Sequence, residues 1–187
     1  MEKKKFLEVF QNLTLSEELK SIFGLVDITR ITANSEHTKM RIYIESSRLI
    51  EKSAIFKVRE ELRKALRTGK KISIEIIEKY ILSQQYTPEN LFDIYKESII
   101  LELNESSPII ATMLKKAPTR FDESGRLVID LESSIVSEAR MKILKETIEN
   151  IFRDRFDMPL EVRIEKRILN SHRYAERNAR RLKNEVN

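Results

Sequence analysis

The chain has 187 residues, 41% hydrophobic and 35% charged, with no cysteine and a net charge of +5. That content supplies a core and a well-solvated surface, and it excludes disulfide frameworks and cysteine-based zinc sites. Three glycines and four prolines leave little room for long irregular loops or a glycine-rich ligand cradle.

The charged start Met1-Glu2-Lys3-Lys4-Lys5 leads into a mixed amphipathic pattern where a signal peptide would place an apolar block. Residues 5–13 predict a short helix with Phe6, Val9, Phe10 and Leu13 on one face. Thr14 with Glu17 three residues later has the form of a capping box, so a second helix is expected over 15–23, stopped by Gly24. Val26, Ile28 and Arg30 alternate with Asp27, Thr29 and Ile31 as a strand, and Asn34-Ser35-Glu36-His37 supplies turn chemistry. Met40, Ile42 and Ile44 then alternate with Arg41, Tyr43 and Glu45, the pattern of a half-buried strand. A long helix is expected over 51–67, with Ile55, Val58, Leu62, Ala65 and Leu66 as its apolar stripe and Gly69 just past its end. Ile72, Ile74 and Ile76 close the first sheet, and residues 79–86, containing Ser83-Gln84-Gln85, read as a linker.

The second half repeats this grammar. Thr87-Pro88 and Ser107-Pro108 each open a helix, with the hydroxyl as cap and proline at the first helical position, where its missing N–H costs nothing. Phe92, Tyr95, Ile99 and Leu103 make the buried stripe of the first of these helices. Its apolar cluster Ser98-Ile99-Ile100-Leu101 is interrupted by Glu97 and Glu102, so no membrane span is expected. Residues 119–121, the turn Asp122-Glu123-Ser124-Gly125 and Leu127-Ile129-Leu131 predict a hairpin, followed by a long helix over 136–155 broken at Met158-Pro159. The last strand is expected over 160–165.

One stretch occurs twice: Ile42-Tyr43-Ile44-Glu45-Ser46-Ser47 and Ile129-Asp130-Leu131-Glu132-Ser133-Ser134. Each copy is followed by a helix with the same apolar spacing; in the second copy the positions are Met141, Leu144, Ile148, Ile151 and Phe152. Strand, helix, strand written twice implies an α+β protein of two tandem αα-ββ-α-β modules, residues 1–80 and 87–166. Each is expected to carry a three-stranded sheet with helices on one face. A basic helical tail, 167–187, follows. From Lys166 onward there are seven basic residues against two acidic ones, and the remaining 28 of each balance, so all the excess charge sits there.

Several strings of the second module bear on family: Glu89-Asn90-Leu91-Phe92-Asp93-Ile94-Tyr95, Ser106-Ser107-Pro108-Ile109-Ile110, Gly125-Arg126-Leu127-Val128-Ile129 and Glu161-Val162-Arg163-Ile164-Glu165. In order and spacing they resemble the N-terminal region of the PolC-type DNA polymerase III alpha subunit, the large replicative polymerase of low-GC Gram-positive bacteria. The first module looks like that family's first N-terminal domain, a truncated KH-type-II-like fold shared with the C-terminal domain of the clamp-loader tau subunit and the N-terminal domain of the initiator DnaA. The resemblance covers about residues 3–167. It implies the leading part of a larger enzyme whose metal-dependent, exonuclease and polymerase domains lie downstream. It also implies a cytoplasmic role in DNA replication among replisome proteins, the first module docking to tau.

The residues themselves offer no catalytic centre. His37 and His172 have no neighbouring ligand cluster, and no P-loop, H-E-x-x-H or Ser-His-Asp pattern occurs. No metal or cofactor is expected. Carboxylates such as Glu60-Glu61 and Asp122-Glu123 have an ordinary reading as solvated faces and turns. The Ser46-Ser47 and Ser133-Ser134 pairs are expected to make local hydrogen bonds after a strand. Neither module has the G-x-x-G turn with which KH modules clamp a nucleotide backbone. Protein docking is therefore the main expectation, on the short-helix side of the first module, through Thr14, Glu17, Glu18, Lys20 and Ser21. Nucleic-acid contact is expected of Lys166, Arg167, Arg173, Arg177, Arg180, Arg181 and Lys183, by counterion release; the plain alternative is a solvated helix. A free-standing single-stranded nucleic-acid-binding protein is the second functional reading.

Overall fold

The computed structural model describes residues 3–36, 38–66, 72–132 and 137–167. It is a mixed α+β structure with two small sheets. The first sheet has the order β1-β2-β3-β4, from strands β1 (Lys4–Lys5), β2 (Asp27–Ala33), β3 (Lys39–Ser46) and β4 (Ser73–Tyr80). The second has the order β5-β6-β7, from β5 (Thr119–Phe121), β6 (Leu127–Glu132) and β7 (Val162–Arg167). Both share one wiring. β2 and β3 are antiparallel, and β3 pairs in parallel with β4 after the helix α3 (Lys52–Ala65). Likewise β5 and β6 are antiparallel, and β6 pairs in parallel with β7 after α6 (Glu138–Asn150). A parallel return needs such a crossover, and here the helix supplies it.

Strand alternation decides which side of the first sheet is covered. Ile42 and Ile44 of β3 and Ile74 and Ile76 of β4 are buried, whereas Lys39, Arg41, Glu75 and Lys79 are exposed. The helices lie on the isoleucine side. Phe6 and Phe23 place their ring centroids 5.0 Å apart there, and both are fully buried. Ile55, Val58 and Leu62 of α3 pack into the same core. The predicted stripe holds at these three positions and fails at Ala65, which is exposed; Ala54 is buried instead. Burial of each such large side chain is worth about 1.5–3 kcal/mol.

The chain's start differs from the sequence expectation. Only α1 (Phe6–Val9) is helical, and Lys4–Lys5 form a fourth strand where three were expected. The cause is local: Lys5 pairs with Asp27 across the sheet at 2.7 Å, and Phe6 donates its N–H to the Val26 carbonyl at 2.9 Å. Helix α2 (Glu17–Phe23) begins later than expected because Ser16, and not Thr14, is its cap: the Ser16 hydroxyl accepts from the Leu19 N–H at 3.3 Å. The turn chemistry read at Asn34 is present, its side-chain oxygen accepting from the N–H groups of Thr38 and Lys39. Ser46 makes the expected local bonds, to the backbone of Arg48. His37, Gly69, Ser133 and Ser134 lie outside the described residues.

The second half begins with α4 (Pro88–Ser106), capped by Thr87 in a reciprocal box with Asn90, and α5 (Pro108–Lys116). All four residues of the α4 stripe are buried. Residues 79–86 are not wholly a linker: β4 runs on through Lys79 to Tyr80, and Tyr80 is fully buried. The hairpin turn closes with Gly125 at φ +73°, a conformation that a side chain strains. After Asn150 the sixth helix widens into a π turn, Ile151–Arg155, rather than running on as α-helix. The widened turn puts Ile151 and Phe152 in the core and Arg155 toward the first half of the molecule. Strand β7 starts two residues later than expected, because Leu160 is already packed as core before the pairing begins. Buried residues of both halves form one contiguous core.

Candidate functional site

The five residues expected to face a protein partner are all exposed: Thr14 in the loop before α2, and Glu17, Glu18, Lys20 and Ser21 on the helix. They share one side because the apolar residues of the helix, Leu19 and Phe23, take the other. Lys20 bridges Glu17 at 2.8 Å, an i, i+3 pair that leaves Glu17 almost fully in water and Glu18 unengaged among the described residues. An apolar fringe borders this polar face in the chain: Val9 is 37% and Leu25 51% exposed. Charged residues beside exposed aliphatic ones suit a protein contact, in which the apolar groups are buried and the charges select the partner. Nothing on this face converges as acid, base and nucleophile must.

The expected nucleic-acid residues divide. Lys166 and Arg167 close β7; Lys166 is paired with Glu138, and Arg167 borders an open groove of about 550 Å³ between α5 and the end of β6. Ile109, Met113 and Leu131 line its apolar side. Arg173, Arg177, Arg180, Arg181 and Lys183, with His172, lie outside the described residues.

A second arrangement escaped the sequence reading. Lys52 of α3, Glu78 of β4, Glu102 of α4 and Arg155 of the π turn form one buried ionic network joining the two halves. Lys52 pairs with Glu78 and lies 3.0 Å from Glu102. Arg155 grips both oxygens of Glu102, at 2.9 and 3.0 Å. The Tyr95 hydroxyl donates to Glu78 Oε2 at 3.0 Å and accepts from Arg155 at 3.2 Å. Tyr80 places its hydroxyl 3.1 Å from the same oxygen. Two cations, two carboxylates and two phenols thus satisfy one another, all but Glu102 largely away from water, which is the condition for tolerating charge in a core.

Electrostatics follow from that geometry. Burial alone would raise the Glu102 carboxyl, but Arg155 and Lys52 outweigh it and hold its pKa down at about 2. Burial pushes the Tyr95 phenol well above its usual value, and the Glu78 charge beside it adds to the rise. Tyr80 is raised for the same two reasons. Neither phenol is poised for proton transfer near neutral pH. A few residues along, Arg59 of α3 pairs with Glu105 of α4, so the two helices are tied at two points and advance in the same direction.

The available signal was positional. Glu78 continues the alternation Ile74, Ile76 and so falls on the core face of β4, a place where a lone charge is costly. Its partners come from three other elements, which no local pattern links.

Among the described residues no group of His, Asp and Glu side chains is arranged to hold a metal ion, and no helix is long and apolar enough to cross a membrane. No protein of curated function matches the chain. Residues 5–76, which hold most of the first sheet and its helices, match the family model of the DNA polymerase III polC-type N-terminus I.

Proposed function

We propose that the chain is a non-catalytic adaptor region at the N-terminus of a polC-type replicative polymerase, and that its first module docks onto the clamp-loader tau subunit. The observation that carries the polymerase assignment is the family match over residues 5–76. The docking step rests on the resemblance together with the exposed α2 face. In this reading residues 1–80 and 87–166 are two KH-type-II-like modules and 167–187 a basic tail. The second module holds the first in place through the buried network, and the chemistry is performed by domains that follow.

Calorimetric titration of the 187-residue chain with the C-terminal domain of tau tests the docking step. Saturable heat is expected, abolished by Glu17→Lys combined with Glu18→Lys and unaffected by Arg30→Glu on the opposite side of the sheet. Absence of heat and of retention on immobilised tau at tens of micromolar overturns it. A tau interaction that ignores both glutamates moves the surface elsewhere and overturns the assignment of these residues.

A further inference from the structure

Among the described residues, nothing covers the side of the first sheet that faces away from the helices. Its residues are exposed or half-buried throughout, from Asp27 and Arg30 on β2, across Arg41, Tyr43 and Glu45 on β3, to Glu75, Ile77 and Lys79 on β4. At its centre the register sets Tyr43 between Arg30 on one side and Ile77 on the other. The Arg30 guanidinium lies 4.0 Å from the Tyr43 ring centroid, a stacked cation–π pair.

The charges around this centre are unequal. Lys3, Lys5, Arg30, Lys39, Arg41 and Lys79 face Asp27, Glu45 and Glu75. Each carboxylate is already held: Glu45 by Lys3, Asp27 by Lys5 at 2.7 Å and Glu75 by Arg41 at 2.9 Å. Lys39 reaches Glu75 only at 3.9 Å. Lys79 stands opposite Glu45 in the register, but neither it nor Arg30 has a carboxylate within ion-pair distance among the described residues. The face is therefore net positive around an aromatic and aliphatic centre. Lys39 and Lys79 mark its two ends, about 20 Å apart along the strands at 3.3 Å per residue.

We propose that this open face binds single-stranded nucleic acid, with the Arg30–Tyr43 pair as a base-stacking platform and Lys39 and Lys79 contacting the phosphate backbone. Flat faces bearing an aromatic ring, a planar guanidinium and flanking cations suit single strands, because bases stack on the planar groups while phosphates take the charges. An acidic polypeptide uses the cations and leaves the ring without a partner, so the nucleic acid accounts for more of the surface. Arg41, Glu45 and Glu75, the groups that could read base edges, are engaged in ion pairs, so binding through stacking and phosphate contact tolerates any sequence. It lies on the other side of the sheet from α1 and α2, and so stands or falls separately from tau docking.

The test is fluorescence anisotropy of a labelled oligothymidylate with the 187-residue chain at two salt concentrations. Binding is expected to weaken with salt. The variant Lys39→Gln/Lys79→Gln should reduce the slope of log affinity against log salt by about 1.4, at about 0.7 per phosphate contact removed from a single strand. Tyr43→Ala should weaken binding about tenfold at unchanged slope, and Tyr43→Phe should restore it. Neutralising Arg173, Arg177, Arg180 and Arg181 together should leave these effects of the face in place. No binding by the parent chain overturns the proposal. So does binding that follows only the tail arginines, and so does a bound oligonucleotide displaced as readily by polyglutamate as by unlabelled strand, which identifies an acidic-protein surface.

Discussion

Lys52 and Glu78 are paired where neither keeps contact with water: their side chains are 4% and 0% exposed. One comes from the first turn of α3 and the other from the core face of β4, and both are linked to the second half of the chain through Glu102 and Arg155. A buried pair is weak evidence of net stability, since two desolvated charges consume most of what their attraction returns. Its consequence is conformational. The two halves cannot separate without exposing this network to water together with the apolar residues around it, Phe156, Tyr80 and Tyr95, whose rings lie within 6.2 Å of one another.

Breaking the network at one member should therefore cost more than removing a matched pair. Glu78→Gln leaves Lys52 buried beside a neutral amide and is expected to destabilise the chain by about 3–5 kcal/mol. Combining Lys52→Met with Glu78→Gln should recover part of that loss. Urea denaturation of the parent, the singles and the double closes the cycle. A double variant as unstable as the sum of the singles would show that the pair is not coupled.

Acid should loosen the same junction. Glu102 is held at about 2, below the ordinary carboxylate value of 4.5, so it binds its proton more readily in the unfolded chain than in the folded one. Its contribution is complete above pH 4.5 and is lost as pH falls from there through 2. With about a third of the side chain still in water, that contribution is about 2 kcal/mol after allowance for screening. Stability measured from pH 6 down to 2 should fall in this window, and Glu102→Gln should flatten the fall.

The start of α2 distinguishes two candidate caps. Ser16→Ala removes the acceptor of the Leu19 N–H and should cost about 1 kcal/mol. Thr14→Ala should cost almost nothing, because Thr14 makes no cap contact. Thermal unfolding of the two variants, compared with the parent, reports the difference. An equal loss from both would restore Thr14 to a structural role.

Gly24 and Gly125 are both required, for different reasons. A methyl group on Gly24 meets the Lys20 carbonyl oxygen at 2.9 Å, so Gly24→Ala forces the helix end to shift. That crowding should cost about 1–3 kcal/mol. Gly125 has open space around it, and Gly125→Ala is penalised only by its φ of +73°, about 1–2 kcal/mol. Denaturant midpoints measure both. Because Gly24 terminates α2, its variant should also weaken any partner held by that helix, whereas the Gly125 variant should not.

Periodicity and end signals made most of the architecture legible. The alternation of Ile42 and Ile44, the α3 stripe at Ile55, Val58 and Leu62, and the prolines after Thr87 and Ser107 each name an element through the residues inside it. The duplicated stretch anticipated the shared wiring of the two sheets. Reading failed where a distant group decided the local conformation. Lys5 looks helical by neighbourhood, yet β2 recruits it with Lys4 as a strand, Lys5 pairing with Asp27. The π turn at Ile151–Arg155 is likewise set by where Phe152 and Arg155 must reach.

Sequence by itself determined the α+β class, the repeated order of elements and the exposed character of the α2 face, because each depends on side chains within a few residues of one another. Only the tertiary structure decided that Glu78, Glu102, Lys52 and Arg155 meet, and that Arg30 stacks on Tyr43 over an open sheet. Those partners lie on different strands and helices, and pairing across such separations is settled by packing and by the cost of leaving a charge alone out of water.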